Sequence, residues 1–265
     1  MNKEKKISVL ISTFNKSDFI KKTIESCLNQ NYNNYEIIIV DTGSTDRTIN
    51  ILKKFRLKKK IKIKFLQKKY LTGPLNQIYA IKSAFHISNG DIVCLLDGDD
   101  IFNKNKLKEV NFFFNKHPRI SFAQDIPIVI KNNIRLKYKL NRPFPLFKIW
   151  PKFYPTSTFS IKRSELNKFF RETSSKRFNL LEIDARLFFY SKLFKAEHRV
   201  LNKNLTYYIK NENGISSKFK RFSNEWLLKR TQAHYFLINL LKFKKYPYKI
   251  DFFISKFFYN LVKKF

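Results

Sequence analysis

The chain has 265 residues, of which 43% are hydrophobic and 17% aromatic, with 29 Phe. That is enough apolar material to bury a core, and it excludes a disordered chain, which would be poor in aromatics. Lys and Arg number 54 against 20 Asp and Glu, a formal net charge of +34, so the surface should attract anionic lipid headgroups, phosphorylated substrates or nucleic acid, unless the excess is only a compositional drift toward Lys, Asn, Ile and Phe.

Residues 7–100 alternate short apolar runs with helical patterns. Ile7 to Thr13 reads as a buried strand. Ser17 to Gln30 places Phe19, Ile20, Thr23, Ile24, Cys27 and Leu28 at helical spacing, with Ser17 as N-cap. Glu36 to Val40 is a β-branched run and a second buried strand. Ser44 to Arg47 opens another helix, carried on by Ile49, Ile51, Leu52 and Phe55. Ile61 to Leu66 is a third strand, Pro74 to Ser88 a helix with Pro in its first turn, and Asp91 to Leu96 a fourth strand. Strand and helix in alternation predict a parallel sheet covered on both faces.

Residues 101–218 are mixed. Lys104 to Lys116 reads as a helix ended near Pro118. Ile120 to Ile130 and Ile134 to Leu140 read as a strand pair around the turn Asn132-Asn133. Pro143, Pro145, Pro151 and Pro155 mark a loop region, Leu180 to Phe194 has helical spacing, and Ala196 to Leu201 and Leu205 to Lys210 read as strands. From residue 219 on, Phe222 to Phe243 and Ile250 to Phe265 read as basic helices dense in Phe, Leu and Tyr. Such helices suit either a bilayer interface or ordinary packing against the main domain.

Cys27 and Cys94 are too few for a disulfide framework or a zinc site and read as small buried hydrophobes in a reducing compartment. The first apolar stretch, Ile7 to Ile11, is too short for a signal sequence, and no run of roughly 18 apolar residues offers a membrane span. A cytoplasmic protein is expected.

In a parallel sheet covered on both faces, ligands bind beyond the carboxyl ends of the strands. Unusual polar groups cluster at those ends here: Ser12, Thr13 and Asn15 after the first strand, Asp41 after the second, Asp97 and Asp99 after the fourth. Asp97-Gly98-Asp99-Asp100 packs three carboxylates into four residues, which is tolerable when Mg²⁺ or Mn²⁺ sits among them. Gly98 permits a sharp turn or close approach to a ligand. The plain alternative, a loop cap for the helix after Asn103, accounts for one strand end but not for three.

Three segments in order, Val9-Leu-Ile-Ser-Thr-Phe-Asn15, Ile39-Val-Asp-Thr-Gly-Ser-Thr-Asp46, and Asn89-Gly-Asp-Ile92 leading to Leu96-Asp-Gly-Asp-Asp100, resemble the family 2 glycosyltransferases of the GT-A fold. Further on, Tyr154-Pro-Thr-Ser-Thr158, Leu181-Glu-Ile-Asp-Ala-Arg-Leu187, and Leu205 to Ser216 resemble the segment before the acceptor region, the acidic segment holding the catalytic base, and the closing strand with its loop. The resemblance implies a GT-A three-layer α/β/α sandwich over residues 1–218, with a Rossmann-like nucleotide-sugar half (1–101) and an acceptor half (102–218), followed by a basic helical extension (219–265). It implies a metal-dependent, inverting transfer from a nucleotide-diphosphate sugar to an acceptor hydroxyl on a glycan or lipid-linked acceptor, in polysaccharide or lipid-linked glycan synthesis. Ser12, Thr13 and Asn15 would line the nucleotide pocket, with Asp41 near the base and Thr42 and Gly73 beside the donor. Asp97 would reach the ribose or the metal, Asp99 would ligate the metal, and Asp184 would be the general base, with Glu182 its nearest rival. Arg186 would bind acceptor or diphosphate, or pair with Asp184.

Two departures bear on this. Thr42 stands where the family often has a second acid beside Asp41, which weakens the expectation of uracil recognition, although its hydroxyl can still hydrogen-bond. Asn211 stands where a His often supplies a third metal ligand. His86, His117, His198 and His234 match no ligand spacing and read as structural. Two other readings compete: a nucleotide-sugar binder without turnover, and a basic protein binding nucleic acid or a membrane surface. No nucleic-acid motif accompanies the charge, and strand-end carboxylates would repel phosphate without a metal, so nucleic acid is not the expected partner. The basic C-terminus would place the protein peripherally on the inner membrane face.

Overall fold

The structure is a computed structural model describing residues 4–67, 69–140, 149–150, 153–173, 177–193, 197–210, 219, 222–241 and 246–262. The first half follows the expected alternation: β1 (Ile7–Thr13), α1 (Ile20–Leu28), β2 (Tyr35–Asp41), α2 (Thr48–Phe55), β3 (Ile61–Phe65), α3 (Gly73–Ile87) and β4 (Ile92–Asp97). Every residue of β1 and β2 is buried, the mark of strands covered on both faces. Alternate residues face opposite layers. Leu10, Ile38, Val40, Val93 and Leu95 share one core with Ala80, Ile81 and Phe85 of α3. Val9, Ile11, Ile37, Ile39 and Cys94 share another with Ile20 and Ile24 of α1 and Leu52 of α2. The three layers of a GT-A sandwich result.

After β4 come β5 (Ile101–Phe102), α4 (Lys106–Lys116), β6 (Phe122–Asp125), β7 (Ile128–Lys131), β8 (Ile134–Lys137), β9 (Phe159–Lys162), α5 (Arg163–Glu172), α6 (Ile183–Leu193), β10 (His198–Leu201) and β11 (Thr206–Ile209). The large sheet runs β10-β6-β9-β4-β1-β2-β3, and a small one runs β5-β11-β7-β8. The strands from β4 to β3 are parallel, whereas β9 inserts antiparallel between β4 and β6.

Three expectations need correction. The single strand expected over Ile120 to Ile130 is two strands in two sheets: β6 ends at Asp125, and Pro127, which has no N–H for a ladder, lies in the crossing to β7. The hairpin itself is present, with Lys131 opposite Ile134 and both Asn132 and Asn133 at positive φ (49° and 62°). Ser17 does not cap α1; its hydroxyl points to Asp18, and the helix begins after a turn in which Phe19 and Ile20 donate to the Lys16 carbonyl. The strand β9 and helix α5 were not expected at all.

The last helices are α7 (Asn224–Leu241) and α8 (Lys249–Val262). Ala233, Phe236, Leu237 and Leu240 of α7 belong to the same core as α3, α5 and α6, and Phe236 meets Phe178 edge-on at 5.5 Å. α8 docks on α7 through a buried polar cluster. Arg230 grips both oxygens of Asp251 at 2.7 and 2.9 Å, Ser255 donates to Asp251 at 3.0 Å, and His234 meets the same carboxylate at 3.1 Å. This network holds Asp251 down at about 2 despite its burial. No helix among the described residues is long and apolar enough to cross a membrane.

Candidate active site

Strand register assembles the site. Ser12 lies opposite Asp97 in the β1–β4 pair, and Thr13 opposite Asp41 in the β1–β2 pair, so three strand ends meet at one edge. Asp97 Oδ1 accepts from Gln77 Nε2 at 2.7 Å and from Ser12 Oγ at 3.2 Å. Burial, then the neighbouring Asp99, pushes Asp97 up to about 6, while Gln77, Lys16 and Ser12 pull the other way. Asp99 forms an ion pair with Lys16, both side chains being largely buried.

Asp100, the third carboxylate of the run, turns inward. It accepts from Ser157 Oγ at 2.5 Å and from the Ile209 N–H at 2.9 Å, tying a 3-10 turn (Thr156–Thr158) and β11 to the end of β4. Burial and the two other acids hold its carboxyl well above the usual range, so it is a structural acid. Ser157 also accepts from the Asp97 N–H at 3.0 Å. Gly98 has its own reason: a Cβ there would stand 2.7 Å from Thr13 Oγ1 and 2.9 Å from Thr13 Cβ. The hydroxyl of Thr13 is buried without a hydrogen-bond partner, a free polar group beside the acids.

The second strand end is organised more by the loop than by the cleft. Asp41 is fully buried and accepts from the N–H groups of Gly43 (3.0 Å) and Ser44 (2.9 Å) and from Ser44 Oγ (2.5 Å). Thr42 is buried against the Thr13 carbonyl. Asn15, at φ 50°, bridges to the same loop: its N–H donates to Ser44 Oγ and its Oδ1 accepts from the Thr45 N–H, both at 2.8 Å. Gly73 is exposed at the start of α3. The turn before it is held by Asn76, whose Oδ1 accepts from the N–H groups of Lys69 (3.1 Å) and Tyr70 (3.0 Å).

From the later part of the chain, α6 brings Asp184 in its first turn, half-buried, with Oδ1 accepting from the Ala185 N–H at 2.7 Å. Burial, then Glu182, pushes Asp184 up to about 7, and Asp97 also raises it, which places the two acids within electrostatic reach. Glu182 is committed to a largely buried ion pair with Lys229 of α7. Tyr138 is pushed up to about 12 by burial and by Asp184, and its ring meets Tyr154 at 5.5 Å and Tyr208 at 6.3 Å. An aromatic wall thus flanks Asp184. Arg186, expected to bind acceptor or diphosphate or to pair with Asp184, is buried, donates to the Leu181 and Phe178 carbonyls, and lies over the Phe236 ring. Asn211 and the loop 213–216 fall outside the described residues.

Gln77, Lys16 and Ser157 were not singled out from sequence. Gln77 lies one turn into a helix that starts beside a strand end, Lys16 follows Asn15 directly, and Ser157 sits inside the Tyr154 to Thr158 segment; position next to a motif was the available signal.

The donor set fits a hard divalent cation: Asp97 and Asp99 offer carboxylate oxygens, and Mg²⁺ is commonly held by one or two carboxylates plus substrate phosphates. The described residues bring together no group of three or more His, Cys, Asp or Glu that could hold a metal without such help.

The layered α/β sheet is the GT-A fold of glycosyltransferases. The family model for glycosyl transferase family 2 matches residues 8–188, and the chain belongs to that family. It is 35% identical over 115 residues to an uncharacterized glycosyltransferase of Haemophilus influenzae, covering 42% of this chain and 43% of that protein. It is 28% identical over 155 residues to the poly(ribitol-phosphate) beta-N-acetylglucosaminyltransferase TarS of Staphylococcus aureus, covering 51% of this chain and 26% of that protein. The match therefore spans less than half the length of each of these curated relatives. Among solved structures, TarS 1–349 in complex with UDP-GlcNAc superposes with a TM-score of 0.64 at 18% identity, covering 97% of this chain and 71% of the other. The mannosyltransferase PcManGT from Pyrobaculum calidifontis, in complex with GDP-Man and Mn²⁺, gives 0.60 at 14% identity, covering 98% and 71%. At these identities the two structures establish the fold alone.

Proposed function

We propose that the protein transfers a sugar from a nucleotide-diphosphate donor to an acceptor hydroxyl with inversion, in the synthesis of a glycan or lipid-linked glycan. The observation that carries this is that half-buried Asp184, in the first turn of α6, lies within electrostatic reach of half-buried Asp97 at the strand ends and is held near 7. An acid at about 7 is matched to taking a proton at neutral pH. Asp184 accepts the proton of the acceptor hydroxyl as its oxygen bonds to the anomeric carbon. The bond from that carbon to the diphosphate breaks, and the nucleoside diphosphate leaves from the opposite side. Ser12 and Gln77 orient Asp97, and Ser12, Thr13 and Asn15 line the nucleotide side, with Asp41 and Thr42 shaping its loop and Gly73 at its rim. A divalent cation, Mn²⁺ or Mg²⁺, held by Asp97 and Asp99 would stabilise charge on the leaving diphosphate as a Lewis acid. Glu182, paired with Lys229, positions α6 and is not the base. The half-buried ring wall of Tyr138, Tyr154 and Tyr208 suits an acceptor whose sugar face can stack.

We also assign α8 as the contact with an anionic membrane surface. Ile250, Phe253 and Phe257 are exposed there by 72%, 68% and 61%, and recur at helical spacing on the side opposite Asp251 and Ser255. A helix with an apolar outer face in a chain of charge +34 matches an interfacial helix.

The test is a thermal-shift screen against UDP-, GDP-, dTDP- and CMP-sugars, each with Mn²⁺ and with EDTA. A ligand at roughly 100 times its dissociation constant adds about 2.7 kcal/mol to apparent stability. A shift with one donor, lost in EDTA, is expected; no shift at millimolar ligand would overturn the reading.

A further inference from the structure

The metal-side acid of the site already has a cation beside it. Lys16 Nζ donates to Asp99 Oδ2, and the side chains are 23% and 14% exposed, so the pair is sheltered, while Asp99 lines a surface cavity. The backbone of Lys16 is fixed independently of this bond. Its N–H donates to Thr48 Oγ1 at 2.8 Å, and its carbonyl accepts from the N–H groups of Phe19 and Ile20 at 3.0 and 2.9 Å. The backbone is thus anchored where β1 gives way to α1, and the four-carbon side chain reaches from there to Asp99. Lysine is suited to this: its ammonium is a compact point charge on a flexible stem, able to serve a carboxylate or a phosphate in turn.

Resting on the donor-and-metal reading above, we propose that Lys16 is a resident counter-cation that holds Asp99 while the site is empty and turns to the donor's diphosphate when metal and donor bind. The consequence is thermodynamic. A cation binding alone must displace the ammonium from Asp99 and leave Lys16 without an anion. A cation arriving with a diphosphate meets no such opposition, because the phosphate oxygens accept the ammonium. Each ligand then raises the affinity for the other by the same factor. The device keeps the acids from collecting free cations and favours the complete metal–donor complex.

The experiment measures Mn²⁺ binding by the loss of the free-ion EPR signal, with Mn²⁺ alone and with saturating UDP or GDP, for the unaltered protein and for Lys16→Met, Lys16→Gln and Lys16→Arg. Thermal melts of each variant verify folding, and having two neutral variants guards against one failing to fold. For the unaltered protein, Mn²⁺ should bind weakly alone and more tightly with one of the nucleotides. Lys16→Met and Lys16→Gln should bind Mn²⁺ alone about tenfold tighter, and the enhancement by nucleotide should shrink by at least that factor. Lys16→Arg, which keeps the charge, should behave as the unaltered protein. If the neutral variants bind Mn²⁺ alone no better than the unaltered protein while the nucleotide enhancement persists, Lys16 is not the counter-cation and the donor-and-metal reading stands. If the unaltered protein shows no nucleotide-enhanced Mn²⁺ binding, that reading falls and the role of Lys16 falls with it.

Discussion

Asp184→Asn should make the protein inactive and more stable at once, and the gain should depend on pH. The native carboxyl is raised from 3.8 to about 7 by burial and by Glu182. Between those values the native state holds a proton that the unfolded chain has released. Unfolding therefore releases a proton, and native stability is lost as pH rises through that window. A shift of about 3 units corresponds to about 4 kcal/mol at roughly 1.36 kcal/mol per unit. Asp184 keeps part of its surface in the cleft, so screening brings the expectation to about 2–4 kcal/mol at pH 8. Asn cannot ionise, and its carbonyl can still accept from the Ala185 N–H that Asp184 now binds at 2.7 Å. Thermal melts in EDTA from pH 4 to 8 would read this out. The variant should match the unaltered protein near pH 4, pull ahead through pH 7 and then hold its lead. At about 2–4 °C per kcal/mol, that lead is at least about 4 °C in Tm. Transfer by the unaltered protein should fall on the acid side of about pH 7, and the variant should lose roughly 10²–10⁴-fold in kcat. An offset that is the same at pH 4 and pH 8, or a variant less stable at pH 8, would refute both the buried-acid argument and the choice of base.

Three other outcomes follow from the geometry. Lys106→Met strands Asp125, its buried ion-pair partner, beside the Leu205 N–H and Thr206 hydroxyl, and should cost about 3–5 kcal/mol in urea unfolding; a cost under about 1 kcal/mol would mean the pair is not what joins α4 to β6 and β11. Gly98→Ala drives a methyl to 2.7 Å from Thr13 Oγ1 and should cost about 1–3 kcal/mol along with weaker donor binding; adding Thr13→Gly should restore part of the binding, and simple additivity of the two losses would remove the collision as the cause. Phe253→Ser with Phe257→Ser, both on the exposed face of α8, should leave Tm nearly unchanged but weaken co-sedimentation with anionic liposomes; unchanged sedimentation would move the membrane contact elsewhere, and a change from oligomer to monomer would make the face an interface between copies.

The parallel half was legible because burial on both faces leaves a signal in every residue: Ile7 to Thr13 and Glu36 to Val40 have no other comfortable place in a folded chain. The strand ends were legible for the complementary reason, since polar groups such as Ser12 and Asp97 interrupt those runs where the sheet meets solvent. What failed was long-range. β9 is a four-residue strand whose partners, β4 and β6, lie far earlier in the chain, and four prolines just before it suggested loop. Pro127 sits inside a run whose apolar residues continue past it, so the change of sheet left no break in hydrophobicity. The site shows the same limit. A carboxylate at a strand end announces itself, but its task depends on which partners tertiary packing delivers. Asp97, Asp99 and Asp100 are nearly consecutive, yet one receives Gln77, one Lys16, and one Ser157 with the Ile209 N–H. Those partners come from α3, the β1–α1 turn, the 3-10 turn and β11, and no local spacing encodes that choice. The sequence pattern therefore locates the reacting edge of the sheet, whereas the division of labour among its acids is a property of the packing around them.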